Sequence, residues 1–428
     1  MNQILAAVER FLSTSLDPVL CEPGEEWLAI TPENFVVAPR GSCVQLQAFD
    51  DRRNLVRRVT AIERETRGKL VLKVSRFPKM EGTLELIDRR RAVRDNVPLR
   101  SARLGFREQF HRFLRRHFPA HKVAQLTTEA DLEHSLSPAY PRALVRQGSS
   151  AWAAIGAAPD AFHSDGVLSF GLIWLDYLRE REPSLSIRGL VLYLPASQAK
   201  TTCLRLLFLD PSAAEYRAFV FDDAGLEEPA DLRDFGNLDT HLEQNHPRRD
   251  RLDPPHLRNA LQNPEAWLES KVRRRIREID AGLLSAPVYG QVPAFAARDR
   301  GVMDLLAVDH CGRLSVLELK AFEDVQLPLQ ALDYWMRVKW HAERGEFQPR
   351  GYFPSSETGR ELLREPPRLL LVSPALQMHP SNERVLRYFS PAIPVERVGV
   401  GLQWRKELKV VFRSGSNNPH VHPNLPAR

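Results

Sequence analysis

Residues 301–322 read GVMDLLAVDHCGRLSVLELKAF: two β runs, Gly301–Asp309 and Arg313–Phe322, joined by His310-Cys311-Gly312. Three connecting residues ending in glycine fit a hairpin whose last loop residue takes the left-handed conformation. With that turn Asp309 faces Arg313 and Asp304 faces Glu318, so the two carboxylates share a face with Cβ atoms about 5 Å apart. Lys320, two residues beyond Glu318, shares that face. Opposed carboxylates repel, and in a mostly apolar sheet such a pair calls for a cation or a raised pKa. Mg²⁺ suits the pair because it binds through one or two carboxylates plus waters and substrate phosphate. Lys320 would stand beside the metal-bound water, where it could orient or help deprotonate that water and offset charge growing on a phosphate. An exposed Asp-Glu-Lys ladder with no chemistry is the competing explanation of the triplet.

The flanking sequence supplies an ordered set of elements. Upstream, residues 264–283 have helical periodicity: Pro264 suits the first turn, and Leu268, Val272, Ile276 and Ile279 line one face. A strand over VYGQVPAFAA precedes the hairpin. Downstream, a helix over about Val325–Glu343 is followed by PRLLLVSP, a continuous apolar run that fits a buried strand. On that helix Gln330 and Tyr334 are spaced i, i+4 on one face. Glu269, on the upstream helix, could reach the same end of the sheet.

The order helix, three strands, helix, strand, with Asp304, then Glu318-Leu319-Lys320, then Gln330…Tyr334, resembles the PD-(D/E)XK nuclease superfamily, in particular members with a RecB-like QxxxY helix. The resemblance covers roughly residues 262–375. It implies an α/β class with a restriction-endonuclease-like αβββαβ core. It implies Asp304 and Glu318 as ligands of Mg²⁺ (or Mn²⁺) and Lys320 as the catalytic lysine. Glu269 would be the helix carboxylate that assists the metal, with Glu265 a weaker candidate. Gln330 and Tyr334 would lie beside the active site and contact DNA. The expected activity is Mg²⁺-dependent hydrolysis of phosphodiester bonds in DNA, with RNA an alternative substrate and a homodimer favoured where both strands are cut. The GVMDLL context of Asp304 lacks the basic flank of some relatives, which leaves the subfamily open. A module that binds nucleic acid or acts as a scaffold without turnover is the reading from a different class.

Outward from this region the chain divides into five segments. Residues 1–98 open with an amphipathic helix and continue as short alternating runs (EWLAI, VQLQAF, LVLKVSRF, TLELID), a β-rich domain. Residues 99–240 read as an α/β domain: a helix with Phe106, Phe110, Phe113 and Leu114 stopped by Pro119, a hairpin RALVRQG–SSAWAAIGA, a helix over GLIWLDYLRERE, then strands over RGLVLYLP, TTCLRLLFLD and YRAFVFDD. Residues 241–262 read as a polar, Pro-containing linker, 263–413 as the nuclease-like domain, and 414–428 as a disordered tail. The middle domain repeats the element order of the C-terminal one. Leu175-Asp176-Tyr177 recurs as Leu332-Asp333-Tyr334, and RGLVLYLP parallels PRLLLVSP. In that pairing Ile155-Gly156-Ala157 stands where Glu318-Leu319-Lys320 stands, and Ala143 falls near Asp304. Residues 101–225 would then be a degenerate copy without metal ligands. Generic patterning shared by two α/β units is the other explanation.

Composition sets bounds. The chain has 428 residues, 43% apolar, which suits two or three domains. Its net charge of +6 and pI near 9.2 permit a polyanionic partner without demonstrating one. Arg273, Arg274, Arg275 and Arg277 on one helix, and Arg89, Arg90 and Arg91, could meet phosphates or be solvated faces. Trp335 and Trp340 read as core or rim, and Asp222 and Asp223 as turn residues. Cys21, Cys43, Cys203 and Cys311 form no CxxC pair, so neither a cysteine zinc site nor a disulfide framework is expected, and a reducing, cytoplasmic compartment is. No signal-peptide pattern and no apolar run of membrane-spanning length is visible, so no membrane association is expected. No P-loop and no GxSxG motif occur. His420 and His422 read as part of a solvated tail.

Overall fold

The computed structural model describes residues 2–415 apart from 23–26, 33, 41–42, 50–53, 67, 77–79, 90–96, 130, 132–133, 138, 160–165, 197–198, 223–224, 233–237, 239, 245–263 and 296–299. Most of the expected linker and tail, with His420 and His422, and also Arg90, Arg91 and Asp223, lie outside the described residues. The described residues are mixed α/β with three sheets, and the chain falls into two compact units: Met1–Gln109 with 160–163, and Phe110–Pro159 with Ser164–Arg428. Among the described residues no helix is long and apolar enough to cross a membrane.

The first unit carries helix α1 (Asn2–Thr14) and strands β1 (Pro18–Cys21), β2 (Leu28–Ala29), β3 (Phe35–Arg40), β4 (Cys43–Phe49), β5 (Asn54–Thr66), β6 (Lys69–Arg76) and β7 (Met80–Asp88). They form an antiparallel sheet in the order β2-β1-β7-β6-β5-β4-β3. Period-two alternation places Leu70, Leu72 and Val74 with Leu84 and Leu86 in one core, which Ala7, Val8 and Phe11 of α1 join.

The second unit holds two sheets of the same design. The middle segment follows helix α2 (Val97–His117), which crosses the boundary between the units at Gln109, and runs β8 (Lys122–Thr127), β9 (Arg142–Gln147), β10 (Ser150–Gly156), α3 (Gly166–Arg181), β11 (Ser186–Pro195), α4 (Ala199–Leu206), β12 (Glu215–Phe221) and β13 (Glu227–Pro229). The C-terminal segment runs α5 (Pro264–Arg274), α6 (Ile276–Ile279), β14 (Tyr289–Phe295), β15 (Arg300–Val308), β16 (Leu314–Leu319), α7 (Leu327–Glu343), α8 (Ser355–Thr358), β17 (Arg368–Pro374), α9 (Pro380–Leu386), β18 (Val395–Val400) and β19 (Val410–Gly415). The strand orders are β8-β9-β10-β11-β12-β13 and β14-β15-β16-β17-β18-β19. In both, the first two pairings are antiparallel, the next two parallel and the last antiparallel. The central strands β11 and β17 are buried along nearly their whole length, as their continuous apolar runs require.

One apolar core runs through both segments: Trp174, Leu178 and Leu209 belong to the same cluster as Leu332, Trp335 and Phe389. A second cluster lies on the other face of the C-terminal sheet, where Leu268 and Val272 of α5 meet Leu305, Leu317 and Leu319.

Two local expectations are corrected. Residues Ala199–Leu206 form helix α4, although TTCLRLLFLD reads as a strand. A short apolar run does not separate a buried strand from a buried helix by period, and here Thr202, Cys203 and Leu206 are buried while Arg205 turns toward α7. The helix expected over 264–283 breaks at Arg275, whose backbone leaves the helical region (φ −127°, ψ 39°). Asp280 then ends α6 in an extended conformation, its carboxylate accepting from the Gly282 amide (2.8 Å) and from Arg368.

Candidate active site

The hairpin between β15 and β16 sets the site. Leu305 pairs with Leu317 and Val308 with Leu314, and continuing the same register sets Asp304 across from Glu318. The loop is held by Asp309: its amide donates to the Arg313 carbonyl (3.0 Å), and its carboxylate accepts from the Cys311 and Arg313 amides (2.8 and 2.9 Å). Gly312 sits at φ 90°, and a Cβ there would come within 2.5 Å of the Glu361 carbonyl oxygen, so this position requires glycine on both counts.

Side-chain alternation then sorts the faces. Leu317 and Leu319 pack toward α5, whereas Val316 packs in the core that contains α7. Glu318 and Lys320 alternate with the leucines and so belong to the α7 side. Lys320 Nζ lies 3.6 Å from Glu318 Oε1. Asp304 Oδ2 accepts from the Leu319 amide (2.8 Å), which ties its carboxylate to the neighbouring strand. Glu269 of α5 comes close enough for its charge and that of Asp304 to act on each other, and its Oε2 accepts from Gln291 Nε2 (2.6 Å). Asp304, Glu318 and Lys320 are thus brought together, and Glu269 approaches this group at Asp304.

Burial makes these charges expensive. The Asp304 carboxyl is pushed up to about 6 by burial, against the pull of Lys320 and the Leu319 amide. The Glu318 carboxyl, 1% exposed, is raised well above its ordinary value, first by burial and then by the charge of Asp304. Glu269 is pushed up to about 7 by burial and Asp304, with the Gln291 bond opposing. Burial works against the Lys320 ammonium, but the carboxylates of Glu265, Glu318, Asp324 and Asp304 outweigh it and hold the proton on more firmly than in water. Glu318 Oε2 and Glu269 Oε1 are buried and accept no hydrogen bond. Orphaned carboxylate oxygens in such a place are what a bound cation would satisfy.

Gln330 and Tyr334 sit on one face of α7, with Gln330 Nε2 3.4 Å from the Tyr334 hydroxyl. Burial and the nearby Glu318 charge raise the phenol, so Tyr334 borders the site as a neutral donor. Glu265 is exposed on the first turn of α5, within electrostatic reach of Lys320. Of the arginine run, Arg273 donates to the Val288 carbonyl (3.0 Å) and Arg275 pairs loosely with Glu278, while Arg274 and Arg277 are exposed. Trp335 is core, and Trp340 lies under the Arg344 guanidinium.

Two residues had no signal in the sequence. Gln291 lies across from Asp304 between the pairs Gly290–Leu305 and Val292–Met303, and adopts φ 51°, rare for a residue with a Cβ. Asp324 follows the LELK strand, and its charge acts on both Glu318 and Lys320. Among the described residues no group of three or more His, Cys, Asp or Glu is gathered closely enough to enclose a metal ion. The carboxylates fit a cation bound by two of them with the remaining positions left to water or phosphate, the mode of Mg²⁺.

The middle sheet gives the counterpart. Ile155 pairs with Leu192 as Glu318 pairs with Leu371, and across the antiparallel neighbour Ile155 meets Arg142. The residue in the place of Asp304 is thus Arg142, one position before the expected Ala143. No family model, curated protein or solved structure matches the chain.

Proposed function

We propose that this protein is a metal-dependent nuclease that hydrolyses phosphodiester bonds in DNA, with a restriction-endonuclease-like core in its C-terminal segment. The observation that carries the reading is a buried carboxylate pair, Asp304 and Glu318, with an orphaned Glu318 oxygen and a lysine held protonated at 3.6 Å. Asp304 and Glu318 would hold Mg²⁺ or Mn²⁺. When bound, the ion supplies Lewis-acid polarisation of the phosphate and acidifies water.

The chain's own residues account for the rest. Its acidic neighbours favour Lys320 as an ammonium, which suits a donor that orients water and offsets charge on the phosphate. Glu269, raised to about 7, is poised to accept a proton at neutral pH, and Gln291 fixes one of its oxygens. Tyr334, steadied by Gln330, offers a neutral hydroxyl for substrate or for Glu318.

A second reading is a nucleic-acid-binding module without turnover. One assay separates them: supercoiled and single-stranded DNA incubated with Mg²⁺, Mn²⁺ or EDTA. Metal-dependent cutting that disappears in Glu318→Ala and in Lys320→Ala is expected. Cutting that survives the double substitution, or none with any metal, rejects the nuclease reading for this site.

A further inference from the structure

The seam between the middle and C-terminal segments is reciprocal. Arg205 of α4 reaches Asp333 of α7 (2.6 Å), and Arg384 of α9 reaches Asp176 of α3 (3.3 Å). Asp176 and Asp333 occupy the same place in the two Leu-Asp-Tyr sequences. Ser169 donates to Gln326 (2.8 Å); these two are 157 residues apart, the spacing that separates Asp176 from Asp333, so each meets its own counterpart. Leu209 and Phe389 form an antiparallel bridge, with the Asp210 amide donating to the Tyr388 carbonyl (2.8 Å) and the Ser390 amide to the Phe208 carbonyl (2.9 Å). Reciprocal contacts flanking self-contacts define a two-fold interface, ordinarily one between two copies of a chain. Here one chain supplies both halves.

The halves differ where chemistry would occur. The positions of Asp304, Glu318 and Lys320 are taken in the middle sheet by Arg142, Ile155 and Ala157. Ile155 and Ala157 are fully buried, and the Arg142 guanidinium is spent on the Ser137 and Glu129 carbonyl oxygens. A cation standing where the first carboxylate should be repels a divalent ion, and no carboxylate remains opposite it.

We infer that this protein cuts only one strand of a DNA duplex per binding event, because its single polypeptide builds a two-fold pair with one carboxylate site and one arginine-plugged counterpart. The inference rests on the nuclease reading and adds the substrate form and product. The backbones of a duplex are related by two-fold axes, and a two-fold protein matches them with one site per strand. With one site present, the partner strand is reached only after release and rebinding in the opposite sense. Each event is a plain hydrolysis: water adds to phosphorus, one P–O bond breaks, and the leaving oxygen takes a proton.

The test is a time course on supercoiled plasmid with Mg²⁺ and limiting protein, alongside a duplex oligonucleotide labelled on both strands under single turnover, with light scattering to give the mass in solution. The expected result is open circle accumulating first, linear product only after a lag, one labelled strand cut per duplex, and a mass near 48.8 kDa. Linear product formed without an open-circle intermediate, or both labels cut in one turnover, overturns the inference while leaving the nuclease reading intact. Cutting of either strand by Glu318→Gln at the wild-type rate reveals a second site and also overturns it. Plasmid that stays supercoiled with every metal removes the nuclease reading and this inference together.

Discussion

At the scale of single residues, the site trades stability for chemistry. The charge of Asp304 acts on both Glu318 and Glu269 in partly dry surroundings, so removing one charge relieves repulsion. Glu318→Gln is expected to raise the melting temperature of the metal-free protein while lowering cleavage by about 10²-fold or more. Titrating Mg²⁺ should raise the wild-type melting temperature, by the equivalent of about 2.7 kcal/mol at a hundred times Kd, and leave that of Glu318→Gln unmoved; an equal shift in both would place the ion elsewhere. Acid stability depends on a different cluster. Burial pushes Asp280 and Glu396 up, but the Gly282 amide and Arg368 for the former, and Arg368 and Arg413 for the latter, leave both below the ordinary carboxylate range. Their stabilisation is therefore present above about pH 4 and is lost as pH falls through the depressed values. Urea midpoints from pH 7 downward should drop across that window, and less so in Glu396→Gln. Asp304, Glu318 and Lys320 were legible because strand alternation and a glycine-ended loop fix which side chains meet. Gln291 was not, since its role depends on a left-handed backbone that its sequence context does not require.

At the scale of elements, continuous apolar runs gave β11 and β17, and helical spacing gave α3 and α7. Helix α4 escaped because its apolar residues are buried nearly all round, which erases the polar face that marks a helix. The α4–α7 ion pair is almost dry, with Arg205 4% and Asp333 14% exposed at the side chain. Asp333→Ala should cost about 3–5 kcal/mol, and replacing both partners by apolar residues of similar volume should recover most of it. A double-mutant cycle in urea checks this, and strict additivity would reject the coupling. Close approach is equally demanding between β11 and β12, where a Cβ at Gly189 would fall 1.8 Å from the Glu215 carbonyl oxygen. Gly189→Ala should unpair these strands and lower stability by several times the ~1 kcal/mol typical of a point change, visible as lost amide protection along Leu190–Leu194.

At the scale of the whole molecule, the repeated element order was readable as a pattern, but the shared core was not. The joining contacts link residues more than a hundred positions apart, such as Arg205 with Asp333. The apolar cluster that includes Trp174 and Trp335 implies that the two sheets of the second unit unfold cooperatively, while the separate cluster around Leu72 and Leu86 gives the first unit its own transition. Calorimetry on the full chain should resolve no more than one transition for the second unit; separate melting of its two sheets would contradict the common core. The α4 segment also carries an intrinsic stopwatch. Cys203 is fully buried in that common core, and burial pushes its thiol up to about 12. An alkylating reagent can capture it only while the halves are parted, so the time to mass-tag this one cysteine would clock how often the fused pair breathes open.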